Sequence, residues 1–147
     1  MNLTEASVAD NRYQIWFSEL METHRGLADK ICLDINESAA FTYAQNFKAL
    51  AIAARSFGVK LGIEHMGYRI SDIGALGELG MDYLKVDSLF TRNLSTNEGN
   101  VAVSRTFVGI GKSLGVPCIA EGINEKAELG KVFELGFFAA SGQGVKK

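Results

Sequence analysis

Basic charge is not in excess in this sequence: 15 lysines and arginines stand against 17 aspartates and glutamates, for a formal net charge of -2. Nucleic-acid binders carry a basic surplus gathered on one face, so that class of partner is not expected. Cysteine is scarce as well. Cys32 and Cys118 lie far apart inside apolar runs with no partner at metal-ligand spacing, which reads as two buried thiols in a reducing compartment. No run approaches the roughly 18 consecutive apolar residues that span a bilayer, and the opening MNLTEASVAD lacks the basic and apolar regions of a signal peptide. A cytoplasmic location is the expectation, with membrane attachment only through other parts of a parent protein. Proline occurs once, and with 47% hydrophobic and 22% charged residues among 147 the composition is that of one soluble globular domain rather than a disordered chain.

What is present is an alternation of short apolar runs with longer stretches of helical period, the pattern of repeated βα units. Tyr13, Trp16, Phe17, Leu20, Met21 and His24 fall on one face of a helix over 11–24, with Asp10 as its N-cap. Phe41, Ala44, Phe47, Leu50, Ala51, Ala54 and Phe57 mark a second helix that Gly58 ends. Further helices are expected over 72–79, over 101–114 with Gly115 ending it, and over 126–135. Strands are expected at 31–35, 60–64, 83–87, 116–120 and 137–140, with a sixth candidate at 1–3. The polar segment NLSTNEGN, just past a strand end, reads as a mobile loop. No linker or repeat divides the chain, so residues 1–147 read as a single α/β domain with a parallel sheet. Two closures cover both faces of such a sheet, a doubly wound open sheet or part of an eight-stranded βα barrel, and periodicity alone does not choose between them.

In either closure the functional groups gather at the C-terminal ends of the strands. Those ends carry Asn2, then Asp34 and Glu37, Glu64 and His65, Lys85 and Asp87, Glu121 and Asn124, and finally Ser141 and Gln143. Carboxylates converging from several strands repel one another unless cations neutralise them, so such a cluster commonly means a divalent-metal site with oxygen ligands. A lysine among them can orient a water or offset phosphate charge. The alternative is that these carboxylates face solvent or cap the next helix. Trp16, Phe41, Phe47 and Phe57 lie at helical spacing and read as packing residues rather than a base-stacking platform. Arg69, in the loop over the pocket mouth, is a candidate phosphate contact beside its reading as a solvated side chain. The glycine-rich GYRISDIGALGELG lacks the order of a dinucleotide fingerprint.

Five segments carry a family resemblance. MNLTEASVAD resembles the "NLS" strand of EAL domains, the cyclic di-GMP phosphodiesterase family; LDINES resembles its "LEITES", LKVDSLF its "LKIDRSF" and GVPCIAEGINE its "GLKVIAEGVET". ELGFFAASGQG stands where the family has "LGCDYVQGY". The matches follow the family's order and spacing along nearly the whole chain. The resemblance implies an α/β fold, a partial (β/α)8 TIM-type barrel of which the chain covers roughly the C-terminal two thirds. In that reading the chain is a truncated EAL-like domain lacking its first strands, including the one that bears the Glu-Ala-Leu motif.

Carried over position by position, the resemblance makes Asn2 and Glu121 metal ligands and Lys85 the lysine that positions the attacking water. Asp34 stands at the glutamate of "LEITES", one methylene shorter, and Glu64 with His65 replace the paired aspartates of "DDFG". A compensating swap, with one cation held by Asp34 and Glu64 and with His65 as a nitrogen ligand, is the counter-reading; the plainer reading of His65 is a side chain hydrogen-bonded at a strand end. Asn124 replaces a second glutamate, Ser141 falls at the glutamine of "QGY", and Gln143 reaches that role only if the backbone shifts. Arg69, Asp87, Ser141 and Gln143 are the candidate nucleotide contacts. Asn2, Asp34, Glu64 and Glu121 are the candidate ligands for Mg or Mn, held weakly or not at all. The expectation is a catalytically degenerate EAL domain acting as a cyclic di-GMP receptor module, with a homodimer as its partner state. The ending AASGQGVKK is similar to that of LapD-type membrane receptors. The alternatives are a weakly active metal-dependent phosphodiesterase and a protein-contact module that binds no nucleotide.

Overall fold

The structure, a computed structural model, describes residues 1–145. It has the expected α/β class, with five strands hydrogen-bonded in chain order and the chain divided into two compact units. The first comprises Met1–Ile63 and Arg69–Asp82; the second comprises Glu64–Tyr68 and the chain from Tyr83 onward.

In the first unit, the candidate strand at 1–3 is reduced to one parallel bridge. Asn2 faces Asp34, with the Leu3 amide donating to the Asp34 carbonyl at 2.8 Å and the Asp34 amide donating to the Met1 carbonyl at 2.8 Å. Helix α1 (Glu5–Ala9) follows, capped by the Thr4 hydroxyl, which accepts from the Ser7 amide. With Val8 as its one buried residue it carries no apolar stripe and left no periodic signal. Helix α2 (Tyr13–Thr23) begins later than its spacing predicts, because the Asp10 carboxylate accepts from the Arg12 amide at 2.8 Å and closes a turn there. Phe17 and Met21 form its buried edge, whereas Trp16 is 52% exposed. Trp16 lines an open apolar groove with Met1, Leu20, Ile31 and Cys32, and for that reason Cys32 is exposed where a buried thiol is expected.

Strand β1 (Cys32–Asn36) buries Leu33 and Ile35 completely. Asn36 caps helix α3 (Glu37–Thr42) by accepting from the Ala39 amide at 2.8 Å. The helix expected through Phe57 is broken at Tyr43, whose φ of -111° and ψ of 47° separate α3 from α4 (Ala44–Phe57). Phe47, Leu50, Ala51 and Ala54 lie four or three residues apart and bury the inner face of α4, which packs against α2. Burying a side chain of the size of Phe47 contributes about 1.5–3 kcal/mol. Gly58 ends the helix in a left-handed conformation, as expected. Strand β2 (Lys60–Met66) passes from the first unit into the second, and a 3-10 stretch spans Ile70–Glu78.

The second unit is built on strand β3 (Tyr83–Val86), helix α5 (Ser88–Thr91), helix α6 (Glu98–Leu114), strand β4 (Cys118–Ala120), helix α7 (Leu129–Glu134) and strand β5 (Ala139–Ala140). The pairs Leu84 with Cys118 and Lys85 with Ile119 set the parallel register of β3 on β4; Ile119 with Ala139 sets that of β4 on β5. Helix α6 starts at Glu98 because Asn97 accepts from the Asn100 amide, and Asn100 in turn donates to the carbonyls of Leu89 and Arg92. NLSTNEGN is therefore tied to its neighbours by side-chain bonds and supplies the first turn of a helix. Ser104, Phe107, Val108 and Gly111 form the buried face of α6, and Gly115 ends it. Cys118 is buried as expected: its thiol donates to the Phe107 carbonyl and burial pushes its pKa up to about 11. No helix among the described residues is long and apolar enough to cross a membrane.

Candidate carboxylate and histidine site

The second unit gathers four of the ionisable strand-end residues. Strand β2 continues past Glu64, where the sequence pattern stops, and His65 takes a positive φ of 55°. A non-glycine residue holds that conformation only where its surroundings define it. Here the His65 amide donates to Glu121 Oε2 at 3.2 Å, and the ring Nδ1 lies 3.0 Å from Asp87 Oδ2 and 3.3 Å from Glu121 Oε2. On the other side of the ring, Nε2 lies 3.9 Å from Glu64 Oε1. One imidazole thus stands among three carboxylates.

Each carboxylate is fixed by its own backbone context. The Asp87 amide donates to the Met66 carbonyl at 3.0 Å, and Asp87 is the N-cap of α5, its Oδ1 accepting from the Leu89 amide at 2.8 Å. Burial pushes the Asp87 pKa up, but the Leu89 amide, the Tyr68 hydroxyl and His65 outweigh it and hold the group below its ordinary value. The Glu121 amide donates to the Val86 carbonyl, and its own carbonyl accepts from the Thr91 hydroxyl at 2.5 Å. Gly122 follows with a φ of 70°, and a Cβ there would lie 2.3 Å from Ser88 Cβ, so this close turn requires glycine. Burial raises the Glu121 pKa, and the charge of Glu64 adds to it against the opposing pull of His65 and Lys85.

The other sequence candidates fall as follows. Lys85 is half-buried on β3, its Nζ 5.8 Å from the centre of the Tyr83 ring, and its charge acts on Glu121. Ser141 and Gln143 are exposed; the Ser141 amide donates to the Ala120 carbonyl and its carbonyl accepts from the Ile123 amide. Asn2 and buried Asp34 face each other in the first unit. Arg69, also there, is half-buried and held by neighbours: its Nε donates to Asp72 Oδ2 at 2.6 Å, its Nη1 to the Ser38 carbonyl and the Thr42 hydroxyl, and its guanidinium lies over the Phe41 ring. Tyr68 and Thr91 were not legible as site residues. Tyr68 acts through a turn at Gly67 that lays its ring edge-on against Phe90, with 5.5 Å between centroids, a placement that no spacing announces.

Glu64, His65 and Glu121 present donor atoms within 4.8 Å of one another. That fits one cation held by two oxygens and a nitrogen. It does not fit the two-cation clamp that the resemblance implies, because the residue at the second acidic position is an imidazole whose Nδ1 is already engaged by Asp87 and Glu121.

The EAL domain family model matches residues 1–147. Among curated proteins the chain is similar to the cyclic di-GMP phosphodiesterase PdeB of Shewanella oneidensis, 23% identical over 115 residues, which is 78% of this chain and 13% of that protein. Among solved structures it is similar to the FimX EAL domain from Pseudomonas aeruginosa bound to c-di-GMP, with a TM-score of 0.88, 18% identity and coverage of 99% of this chain and 60% of that one. It is also similar to the S helix-GGDEF-EAL portion of Vibrio cholerae LapD, with a TM-score of 0.87, 21% identity and coverage of 99% and 36%. The chain spans only 12% of one curated relative and 23% of another.

Proposed function

The chain belongs to the EAL domain family, and from that membership and its altered acidic set we propose that it is a catalytically degenerate member, a module that binds cyclic di-GMP without hydrolysing it. The observation that carries this reading is His65, whose ring lies within hydrogen-bonding reach of Asp87 and beside Glu121 and Glu64. Two-metal hydrolysis of a phosphodiester places cations about 3.5–4 Å apart, one to generate hydroxide and one to stabilise the leaving oxygen. An imidazole in place of a bridging carboxylate removes negative charge where two dications must be held together. Displacements near 1 Å at such a centre cost about a hundredfold in rate.

Nucleotide binding asks less of the same unit. Phosphate charge is met by Lys85, and Ser141 and Gln143 offer exposed hydrogen-bonding groups beyond the ends of β4 and β5. Mg or Mn, where bound, would screen phosphate charge at Glu64 and Glu121. The similarity to a FimX EAL domain bound to c-di-GMP supports the nucleotide-binding part of this reading. Self-association, with nucleotide shifting its equilibrium, belongs to the same proposal.

The test is a calorimetric titration of the purified chain with cyclic di-GMP, with and without Mn2+, followed by chromatography of the recovered nucleotide. Saturable heat with the nucleotide recovered intact is expected in both conditions. A linear dinucleotide in the eluate would overturn the proposal, as would the absence of saturable binding.

A further inference from the structure

Tyr68 meets the candidate site through its hydroxyl, which leaves the use of its ring unassigned. Of the four tyrosines it alone is exposed, at 57%, while Tyr83 is buried and Tyr13 and Tyr43 are half-buried. A single exposed ring needs no explanation by itself, but an exposed tyrosine ordinarily turns between rotamers, and this one is fixed. Three contacts within the second unit hold it. Strand β2 ends at Met66, and Gly67 then turns with a φ of 140°, where a Cβ would collide with the Phe90 ring, so the backbone passes directly against that ring. The Tyr68 and Phe90 rings meet at 62° with 5.5 Å between centroids, an edge-to-face pairing. The Tyr68 hydroxyl donates to the Asp87 carboxylate, and Asp87 is the N-cap of α5, the helix that carries Phe90. Turn, ring pair and carboxylate thus form one clamp on an exposed aromatic side chain.

The clamp sits just past the C-terminal ends of β2 and β3, the end of a parallel sheet at which ligands bind. Lys85, Ser141 and Gln143 offer a ligand charge and hydrogen bonds; Tyr68 adds a flat apolar surface. A surface fixed in advance costs little entropy when a planar group settles on it, and nucleobases stack on aromatic side chains through their π-faces. We propose that Tyr68 is a stacking platform for one purine base of a cyclic dinucleotide, with Gly67 and Phe90 as the positioning residues that hold its ring. This role rests on the nucleotide-binding reading and adds to it the side chain that takes the base. It assigns the binding contribution to the ring and not to the hydroxyl, whose bond to Asp87 only orients the side chain.

The test titrates the native chain, Tyr68→Phe and Tyr68→Leu with cyclic di-GMP by calorimetry and follows the guanine H8 proton by NMR. Tyr68→Phe keeps the ring and loses the hydroxyl; Tyr68→Leu keeps an apolar side chain against Phe90 and loses the π-face. Expected are affinity within about twofold of native for Tyr68→Phe and a loss of about 10–100-fold for Tyr68→Leu. An upfield ring-current shift of H8 on binding should appear with the native chain and with Tyr68→Phe and vanish with Tyr68→Leu. Native affinity in Tyr68→Leu, equal losses in the two variants, or saturable binding to the native chain with no upfield shift of H8 would each overturn the stacking role while leaving the receptor reading in place. No saturable binding to the native chain would overturn that reading and the stacking role with it. Where Tyr68→Leu fails to fold, the H8 shift in the native chain and in Tyr68→Phe decides.

Discussion

Two polar clusters, one in each unit, are made of similar residues and behave differently. In the first, Arg69 is surrounded by acceptors that use its donors: Asp72, the Ser38 carbonyl and the Thr42 hydroxyl, with its backbone amide donating to the Glu37 carboxylate. The fixed positive charge is matched and the cluster holds a loop in place. In the second, three carboxylates share one imidazole, and Glu64 Oε1 stands 3.9 Å from its Nε2, beyond hydrogen-bond reach. Acids at strand ends are thus poor evidence of chemistry by themselves; what separates a structural cluster from a reactive one is whether its hydrogen-bonding capacity is already spent.

The largest effect on this contrast comes from the backbone that supports the second cluster. Gly122→Ala places a Cβ against Ser88 at a φ of 70°, and a loss of about 3 kcal/mol, on the order of 10 °C in melting temperature, is expected by calorimetry. Arg69→Ala removes the matched charge of the first cluster and should cost about 1–2 kcal/mol by urea unfolding. A neutral result would show that cluster to be ornamental to stability and would break the comparison.

The smallest effect has the opposite sign. The folded pKa of Glu121 is raised, chiefly by burial, above its ordinary value of 4.5. The protonated form is therefore favoured by folding, the associated stability is fully present below that value, and it is lost as pH rises through the folded pKa. Glu121→Gln should raise the melting temperature by about 2 °C at pH 7 and leave it unchanged at pH 4. Asp87 has a lowered pKa, so its contribution is present above its ordinary 3.8 and is lost as pH falls through the folded value. Asp87→Asn should accordingly destabilise at pH 7. Parallel shifts in the two variants would contradict the assignment of opposed roles within one cluster.

Strands and long helices were legible because their signal is local. The apolar runs at Leu33, Ile35, Leu61 and Ile63 and the spacing along α4 and α6 report burial directly, and Gly58 and Gly115 end their helices by their own conformational freedom. The exposure of Trp16 was not legible, since a 3.6-residue stripe identifies a face and does not say how much of it is covered. Nor was the left-handed His65, whose φ is held by contacts with residues 22 and 56 positions away. The replacement of an acidic pair at Glu64 and His65 could be read from the motif; the way Asp87 and Tyr68 complete the site depends on tertiary placement.

The two thiols differ as sharply as the two clusters. Cys32 is exposed at the start of β1, while Cys118 is sealed under α6 with its pKa pushed up to about 11. Alkylating reagents attack the thiolate, so at neutral pH they modify Cys32 in the native protein and reach Cys118 only when the second unit opens. The chain thereby carries a labelling handle in one unit and a chemical clock for the opening of the other, with no engineered residue needed for either.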